Sequence, residues 1–400
     1  MVGSWHDCPI KIQIHLAVVL AAWHNSGPLF FVVLRVKFMA DGAVQKSRLV
    51  KLTSPLGPDG LLFYKMSGTE AVSQLFEWEI EALAQDDYIE EDQVVGHGCT
   101  VEIECADDVV RYFHGLCTEI SLIGGTGRRN HYAITLRPHL WFLSLQSDSR
   151  IFSKMTVGDI IAEVLDTAGL TDFEIALTAD YEVIPYCVQY QESNFDFVCR
   201  LMEKYGIVYF FKHKVDKHTL VLSDSISQFE PAPGAETLTY NANSGLLFSE
   251  NFLSRVRLSE QIVTDTIDAD EYNYETVGRK LKVNRADLGS HGMTGNALYD
   301  FRTSYLNASV GEQLTKISLE AERAKTKRVM AEGVAPAIFA GCRLKIAECP
   351  LPGTDKDLTC LAVHHEIRSD SYGTVMAVEP GGNDGDVFEE LYNGKYILMP

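Results

Sequence analysis

The sequence predicts a mainly β fold of the α+β class, built as two similar antiparallel β-barrel domains with inserted α/β and helical segments. Three observations carry that prediction. Between 49 and 138, short β-branched and aromatic runs recur at near-regular spacing between turn signals, as in small barrels and sandwiches. Helical periodicity is confined to a few stretches further on. A block near the start also returns near the end, where Gly98-Cys-Thr-Val-Glu-Ile-Glu-Cys105 resembles Gly341-Cys-Arg-Leu-Lys-Ile-Ala-Glu-Cys349. Each copy is followed by a strand, at 116–120 and 362–367, and then by a Tyr-led strand ending in proline, at 132–138 and 372–380. The two copies agree in offset as well as letters, at a period far above that of a solenoid, so the reading is one domain used twice.

Residues 1–38 hold two apolar runs, 14–22 and 29–38, without the basic start or small-residue cleavage pattern of a signal peptide. The first barrel takes 39–145, with strands at Leu52, Leu62 and Phe63, 76–80, 101–103, 109–113, 116–122 and 132–136. Phe76, Trp78 and Ile80 alternate and share one face.

An α/β region takes 146–235. Thr156 caps a helix in which Val157, Ile160, Ile161, Val164, Leu165 and Ala168 fall at helical spacing, and Gly169 stops it. Ser193, with Asp196 three residues on, caps a second helix whose apolar face reads Phe195, Val198, Cys199, Met202 and Tyr205. Gly206 stops that helix, and a hairpin from 207–211 and 219–222 follows. FEPAPG at 229–234 has the composition of a linker.

The second barrel takes 236–285 and 326–380, divided by a helical insert at 286–325. In the insert Val310, Leu314, Ile317, Ala321 and Ala324 mark one helix face, with Gly333 as the stop. Residues 381–400 read as a polar, Gly-rich linker.

Composition excludes several classes. At 46% hydrophobic and 22% charged the chain is an ordinary globular one, and its formal charge of −20 argues against gripping a phosphate backbone over a broad surface. The Arg128–Arg129 pair, the 325–328 run and the acidic 86–92 loop read as solvated faces. Nine cysteines without a C-x-x-C pair, mostly inside apolar patterns, point to a reducing compartment and core packing, Cys187 and Cys199 included. No apolar run reaches the ~18 residues of a membrane span.

Chemistry-bearing motifs are missing too. P-loop, H-E-x-x-H and G-x-S-x-G patterns do not occur, and GGTG at 124–127 is a turn between strands. His364, His365 and Glu366 are consecutive in a strand, so neighbours point to opposite faces and cannot share one ion. The acidic stretch 265–275 has no glycine at the sixth position of a calcium loop. No catalytic, cofactor-binding or metal-ligating residue is nominated, no cofactor is expected, and the chain is not expected to be an enzyme.

One block carries a resemblance. QYQESNFDFVCRLMEKYGIVYFF at 189–211, with LVKLTSPLG at 49–57 and WFLSLQSDSRIF at 141–152, resembles the VgrG spike proteins of type VI secretion systems in the family's own order. The likeness runs from about 49 to 400, and those proteins share this part with the baseplate hub of contractile phage tails. It begins only after Met39, which implies Met39 as the natural start and 1–38 as an apolar leader outside the fold. It implies a homotrimeric hub seated on a hexameric tube protein, beside baseplate components and a possible effector or adaptor, with no nucleic acid and no stable membrane insertion. Two barrels per chain in a trimer make a ring of six similar units. The implied location is cytoplasmic during assembly, then delivery into a target cell on contraction. Family members continue into an oligonucleotide/oligosaccharide-fold domain and a triple-stranded β-helix, and this sequence ends about where they begin. It therefore reads as a fragment or truncated product that keeps the hub role and puts the piercing role in doubt. A hub from a prophage tail or contractile bacteriocin stays open, as does a delivered hydrolase domain.

Overall fold

The computed structural model describes residues 45–46, 48–84, 88–105, 108–125, 129–242, 251–273, 278, 281–289, 292–301, 305, 307–369 and 391–400. The leader at 1–38 and the Tyr-led strand at 372–380 lie outside those residues.

Six strands open the fold: β1 (Val50–Thr53), β2 (Leu62–Ala71), β3 (Glu77–Ala84), β4 (Gly98–Glu104), β5 (Val110–Gly125) and β6 (Asn130–Arg137). They pair in the order β1-β4-β5-β6-β3-β2. Alternation on β3 buries Trp78 and Ile80 next to Phe76, as the sequence pattern predicts. The strands expected at 109–113 and 116–122 are one continuous β5. Gly115 between them is not a turn. A Cβ there would lie 2.8 Å from Leu136 Cβ, so glycine serves close packing against β6.

The α/β region supplies β7 (Ser147–Phe152), α1 (Val157–Thr167), β8 (Phe173–Ala176), β9 (Cys187–Ser193), α2 (Asn194–Tyr205), β10 (Val208–His213) and β11 (His218–Ser223). Thr156 and Asp159 close a reciprocal capping box on α1. Ser193 Oγ accepts from the Asp196 N–H at 2.9 Å, and Gly206 ends α2 at φ 69°. The most deeply buried face of α2 is Phe197, Val198, Leu201 and Met202, whereas the expected Phe195, Cys199 and Tyr205 are half-buried. Both stripes are apolar, and periodicity alone cannot rank their depth.

Next come β12 (Thr237–Tyr240) and β13 (Phe252–Glu260), then an insert of β14 (Thr266–Asp270), β15 (Val283–Ala286), β16 (Ala297–Phe301) and α3 (Ala308–Arg323). The chain returns with β17 (Lys327–Val334), β18 (Arg343–Ala347), β19 (Leu358–Arg368) and β20 (Leu391–Met399). Here the order is β12-β18-β19-β20-β17-β13, and β13 pairs with β12 to close the ring. Replacing β1 to β6 by β12, β13, β17, β18, β19 and β20 reproduces the first order strand for strand.

The irregularities repeat as well. A register shift falls between Phe63 and Lys65 on β2 and between Leu253 and Arg255 on β13. Another falls between Cys117 and Glu119 on β5 and between Cys360 and Ala362 on β19. At this second pair each thiol points to the carbonyl two residues on, at 3.4 Å for Cys117 and 3.7 Å for Cys360. Bulges are built features of a strand, so matched bulges in matched ladders are strong marks of duplication.

Three sequence expectations need correction. Strands β14 and β15, which fall in the 236–285 stretch assigned to the second barrel except for Ala286, form a separate small sheet with β16. Helix α3 stops at Arg323, because Lys327–Val334 alternates as a strand in which Gly333 meets a neighbour. A Cβ at Gly333 would lie 2.2 Å from the Phe252 carbonyl oxygen. The expected linker over 381–400 becomes, at Leu391–Met399, strand β20, paired with both β17 and β19. FEPAPG is also tied down, since Phe229 is buried and its carbonyl accepts from Arg343 Nε at 2.8 Å.

Among the described residues β1 and β2 do not pair directly as β12 and β13 do. Buried Gln45 stands in for that pairing. Its Oε1 accepts from Leu52 N on β1 at 2.8 Å and from Phe63 N on β2 at 2.9 Å. Its Nε2 donates to the carbonyls of Leu52 and Leu61 at 3.1 and 3.0 Å. One side-chain amide thus satisfies backbone groups of both strands that would otherwise be buried unpaired.

A first test arises from Gly206. Alanine there would be held at φ 69° with its Cβ 2.8 Å from Ile317 Cγ2 on α3. Gly206→Ala is expected to cost more than about 1 kcal/mol in urea unfolding, because both the backbone and the α2–α3 contact resist it.

Candidate functional site

The structure gathers its polar chemistry at two junctions, neither of which was legible in the sequence. The first joins the two rings. Strands β2 and β19 pair antiparallel from Lys65–Arg368 to Ala71–Ala362, fusing both rings into one twelve-stranded sheet. Under that seam Arg111 Nη2 donates to Glu70 Oε1 at 2.8 Å, and His365 Nε2 donates to the same oxygen at 3.0 Å. Tyr392 Oη completes the chain by donating to His365 Nδ1 at 2.8 Å. The Arg111 guanidinium also lies 4.8 Å from the Phe113 ring and 5.5 Å from Phe339 in the second ring. Burial alone would raise the Glu70 carboxyl, but Arg111 and His365 outweigh it and hold it below the usual range. Burial holds His365 neutral by lowering its pKa against the pull of Glu70.

The second junction docks the β10–β11 hairpin onto the first ring through four histidines. Their hydrogen bonds fix the protons. The His139 main-chain N–H donates to His218 Nε2 at 2.9 Å, so that nitrogen is an acceptor. His218 then carries its proton on Nδ1 and donates to His114 Nδ1 at 2.8 Å. His139 Nδ1 also donates to His218 Nε2. The His114 main-chain N–H donates to His213 Nδ1 at 3.2 Å. The result is a directional imidazole chain, His139 to His218 to His114. Burial depresses all four, His139 from the usual 6.5 to about 4 and His218 to about 2, the other imidazoles adding to it for His218. Asp172 and Asp216 pull the other way on His114 but do not prevail.

Both nitrogens of His218 face different rings, so the four do not converge on a point. Among the described residues no group of three or more His, Cys, Asp or Glu is placed to hold a metal ion. His364 and His365 do point to opposite faces: His365 is buried in the junction, and His364 Nδ1 meets Thr69 Oγ1 at 2.9 Å on the exposed side. The acidic 265–275 stretch begins as strand β14, with Asp265 accepting from the Gly295 N–H at 2.8 Å. Burial pushes the Cys199 thiol up to about 12, and Cys187 moves the same way, so both are protonated packing residues.

The outer surface carries open apolar faces. On the two-stranded β7–β9 ribbon Ile151 pairs across from Val188, next to Tyr190, and all three are exposed. On the second ring exposed Met330 pairs with exposed Ile397. Aromatic and aliphatic side chains presented in pairs on open strands are the material of protein interfaces. Among the described residues no helix is long and apolar enough to cross a membrane.

Comparison with known proteins fits a body of this kind. The family described as phage tail baseplate hub (GPD) matches residues 69–371, a span that runs from the end of β2 to just past β19 and holds the whole α/β region. The chain belongs to the phage tail baseplate hub family. Two spike proteins of the type VI secretion system of Pseudomonas aeruginosa, VgrG1b and VgrG1a, are each 31% identical to it. Each match covers 86% of this hub chain, and 46% and 53% of those proteins, respectively. The chain thus spans about half the length of the curated relatives it matches. A solved Escherichia coli component of the type VI secretion system, similar in structure to the T4 tail proteins gp27 and gp5, superposes with a TM-score of 0.63 at 15% identity. That match covers 88% of this chain and 76% of the other, and shows that the hub fold is shared.

Proposed function

We propose that the chain is the hub portion of a type VI secretion spike, a homotrimer that seats on a hexameric tube and acts by shape and rigidity. The observation that carries this reading is that the two rings share one strand order and two matched bulges, although β12 runs parallel to β18 where β1 is antiparallel to β4. Three copies would offer six similar units to a six-fold partner while keeping three-fold symmetry elsewhere. The buried ion-paired seam supports it, because a piece that transmits thrust needs its rings fixed to each other. The open faces on β7–β9 and on β17–β20 are where copies, baseplate components, or an effector or adaptor would meet it. The reading assigns the chain no chemical step and no cofactor. Assembly would take place in the cytoplasm, with delivery into a target cell on contraction. A hub from a prophage tail or contractile bacteriocin uses the same geometry, and neighbouring genes separate the two.

The test is the mass in solution by light scattering after size exclusion. A species of three times 44.6 kDa is expected. A monomer across the accessible concentration range would overturn self-assembly by this region.

A further inference from the structure

We propose that the cleft between the insert and the end of α2 is a docking groove for a cationic amphipathic segment of a partner polypeptide. The cleft encloses about 1500 Å³. That exceeds the roughly 300–1,000 Å³ of small-molecule sites, so a length of chain fits it better than a metabolite. One wall is the end of α2 with the 179–186 loop, and the other is α3.

The wall from α3 is informative. The face that α3 buries is Gly311, Thr315 and Leu319. The stripe Val310, Leu314, Ile317, Ala321 and Ala324, which the sequence marks as one helix face, runs along the groove, with Val310 and Leu314 also packed on the insert core of Leu281, Val283 and Tyr305. At the floor the helices meet, with Ile317 against Gly206. On the rim Tyr186, Tyr272 and Phe301 are 61%, 59% and 57% exposed. An apolar stripe of helical spacing beside exposed aromatics is what a helix-in-groove partner requires.

Charge selects the partner. Asp180, Glu182, Glu203 and Glu320 line the groove as exposed carboxylates against Lys204 and Lys316, while Asp224 accepts from Thr178, Ala179 and Tyr181 and Glu271 is buried. Lys316 already faces Glu320 at 3.6 Å. Carboxylates flanking an apolar stripe complement a helix with an aliphatic face bordered by Lys or Arg. A second copy of this chain, at −20, is a poor match for such a groove. The inference stands on the groove itself and holds whether or not the chain forms a trimer.

The experiment is fluorescence anisotropy of the full chain with a labelled synthetic Leu/Lys amphipathic helix of about five turns, and with the same helix carrying Glu for Lys. The Leu/Lys helix is expected to bind, and the Leu/Glu helix to bind at least about tenfold more weakly. Glu182→Lys with Glu203→Lys, both exposed, should weaken the Leu/Lys helix by a similar factor. Glu90→Lys with Asp92→Lys, exposed on the first ring, should leave it within about twofold, with both double variants melting like the parent. A benzophenone on the peptide should cross-link to α2 or α3. Equal loss from both double variants, equal binding of the two helices, or cross-links mapping elsewhere would each overturn the proposal. So would binding that vanishes as copies associate, since a second copy would then be the occupant.

Discussion

Glu70→Ala is expected to lower the unfolding free energy by about 3–5 kcal/mol, the cost of leaving a buried cation without its partner. Both Glu70 and Arg111 are buried, and the Glu70 carboxylate accepts from two donors at once. Removing it orphans Arg111, whose Nε already lacks a partner, and leaves His365 Nε2 without an acceptor. The loss also falls on the seam between the rings, so the urea transition should broaden or split as they uncouple. Glu70→Leu combined with Arg111→Leu should recover much of the loss, because neither charge is then stranded. A Glu70→Ala cost below about 1 kcal/mol would show that water reaches the seam and that the ion pair does not hold the rings.

Acid should loosen the hairpin junction well before the carboxylates titrate. His114, His139, His213 and His218 are all depressed in the folded chain, so below about 6.5 the unfolded state binds more protons than the folded one. The stability they confer is complete above the unfolded value and drains as pH falls towards the folded one, about 4 for His139. Each histidine still neutral contributes a slope of about 1.4 kcal/mol per pH unit. Glu70, also depressed, begins to contribute only below its usual 4.5, so the window between 6.5 and 4.5 reports mainly on histidine, with His365 of the seam adding to the four of the hairpin junction. Urea midpoints taken from about pH 7 down to about pH 5 should fall steadily. His139→Gln keeps a donor for His218 but cannot titrate, and should make that fall shallower by one histidine's share, about 1.4 kcal/mol per pH unit. A flat midpoint in the parent would mean that the imidazoles are charged in the folded chain.

Much of the architecture was legible because local signals agreed with it. The Thr156 and Ser193 caps, the Gly169 and Gly206 stops and the Phe76-Trp78-Ile80 alternation each specify one element through short-range physics. The duplicated block was visible since Cys99 lies in β4 and Cys342 just ahead of its match β18. The sequence paired 132–138 with 372–380, however, whereas the counterpart of β6 is β20, and the repeated bulges need paired strands to be seen. Errors fell where one pattern serves two purposes. Gly115 and Gly333 read as breaks but are close-packing points within strands. The helix face from Val310 to Ala324 serves both, since Val310 and Leu314 pack on the insert core while the stripe also lines a groove. The two junctions were not legible at all. Glu70 and His365 lie 295 residues apart, and His114 and His218 104 apart, so no spacing rule could connect them.

The sharing of β19 between two ladders has a consequence for biogenesis. This strand closes the second ring through β20 and covers the β2 edge of the first. On the ribosome the first six strands emerge long before residue 358, so an open strand edge waits in solution for a cover nearly 300 residues downstream. The second ring waits longer still, because its closing strand runs to Met399. Synthesis rate and chaperone holding, rather than final stability alone, therefore govern how much of this protein reaches the assembled state.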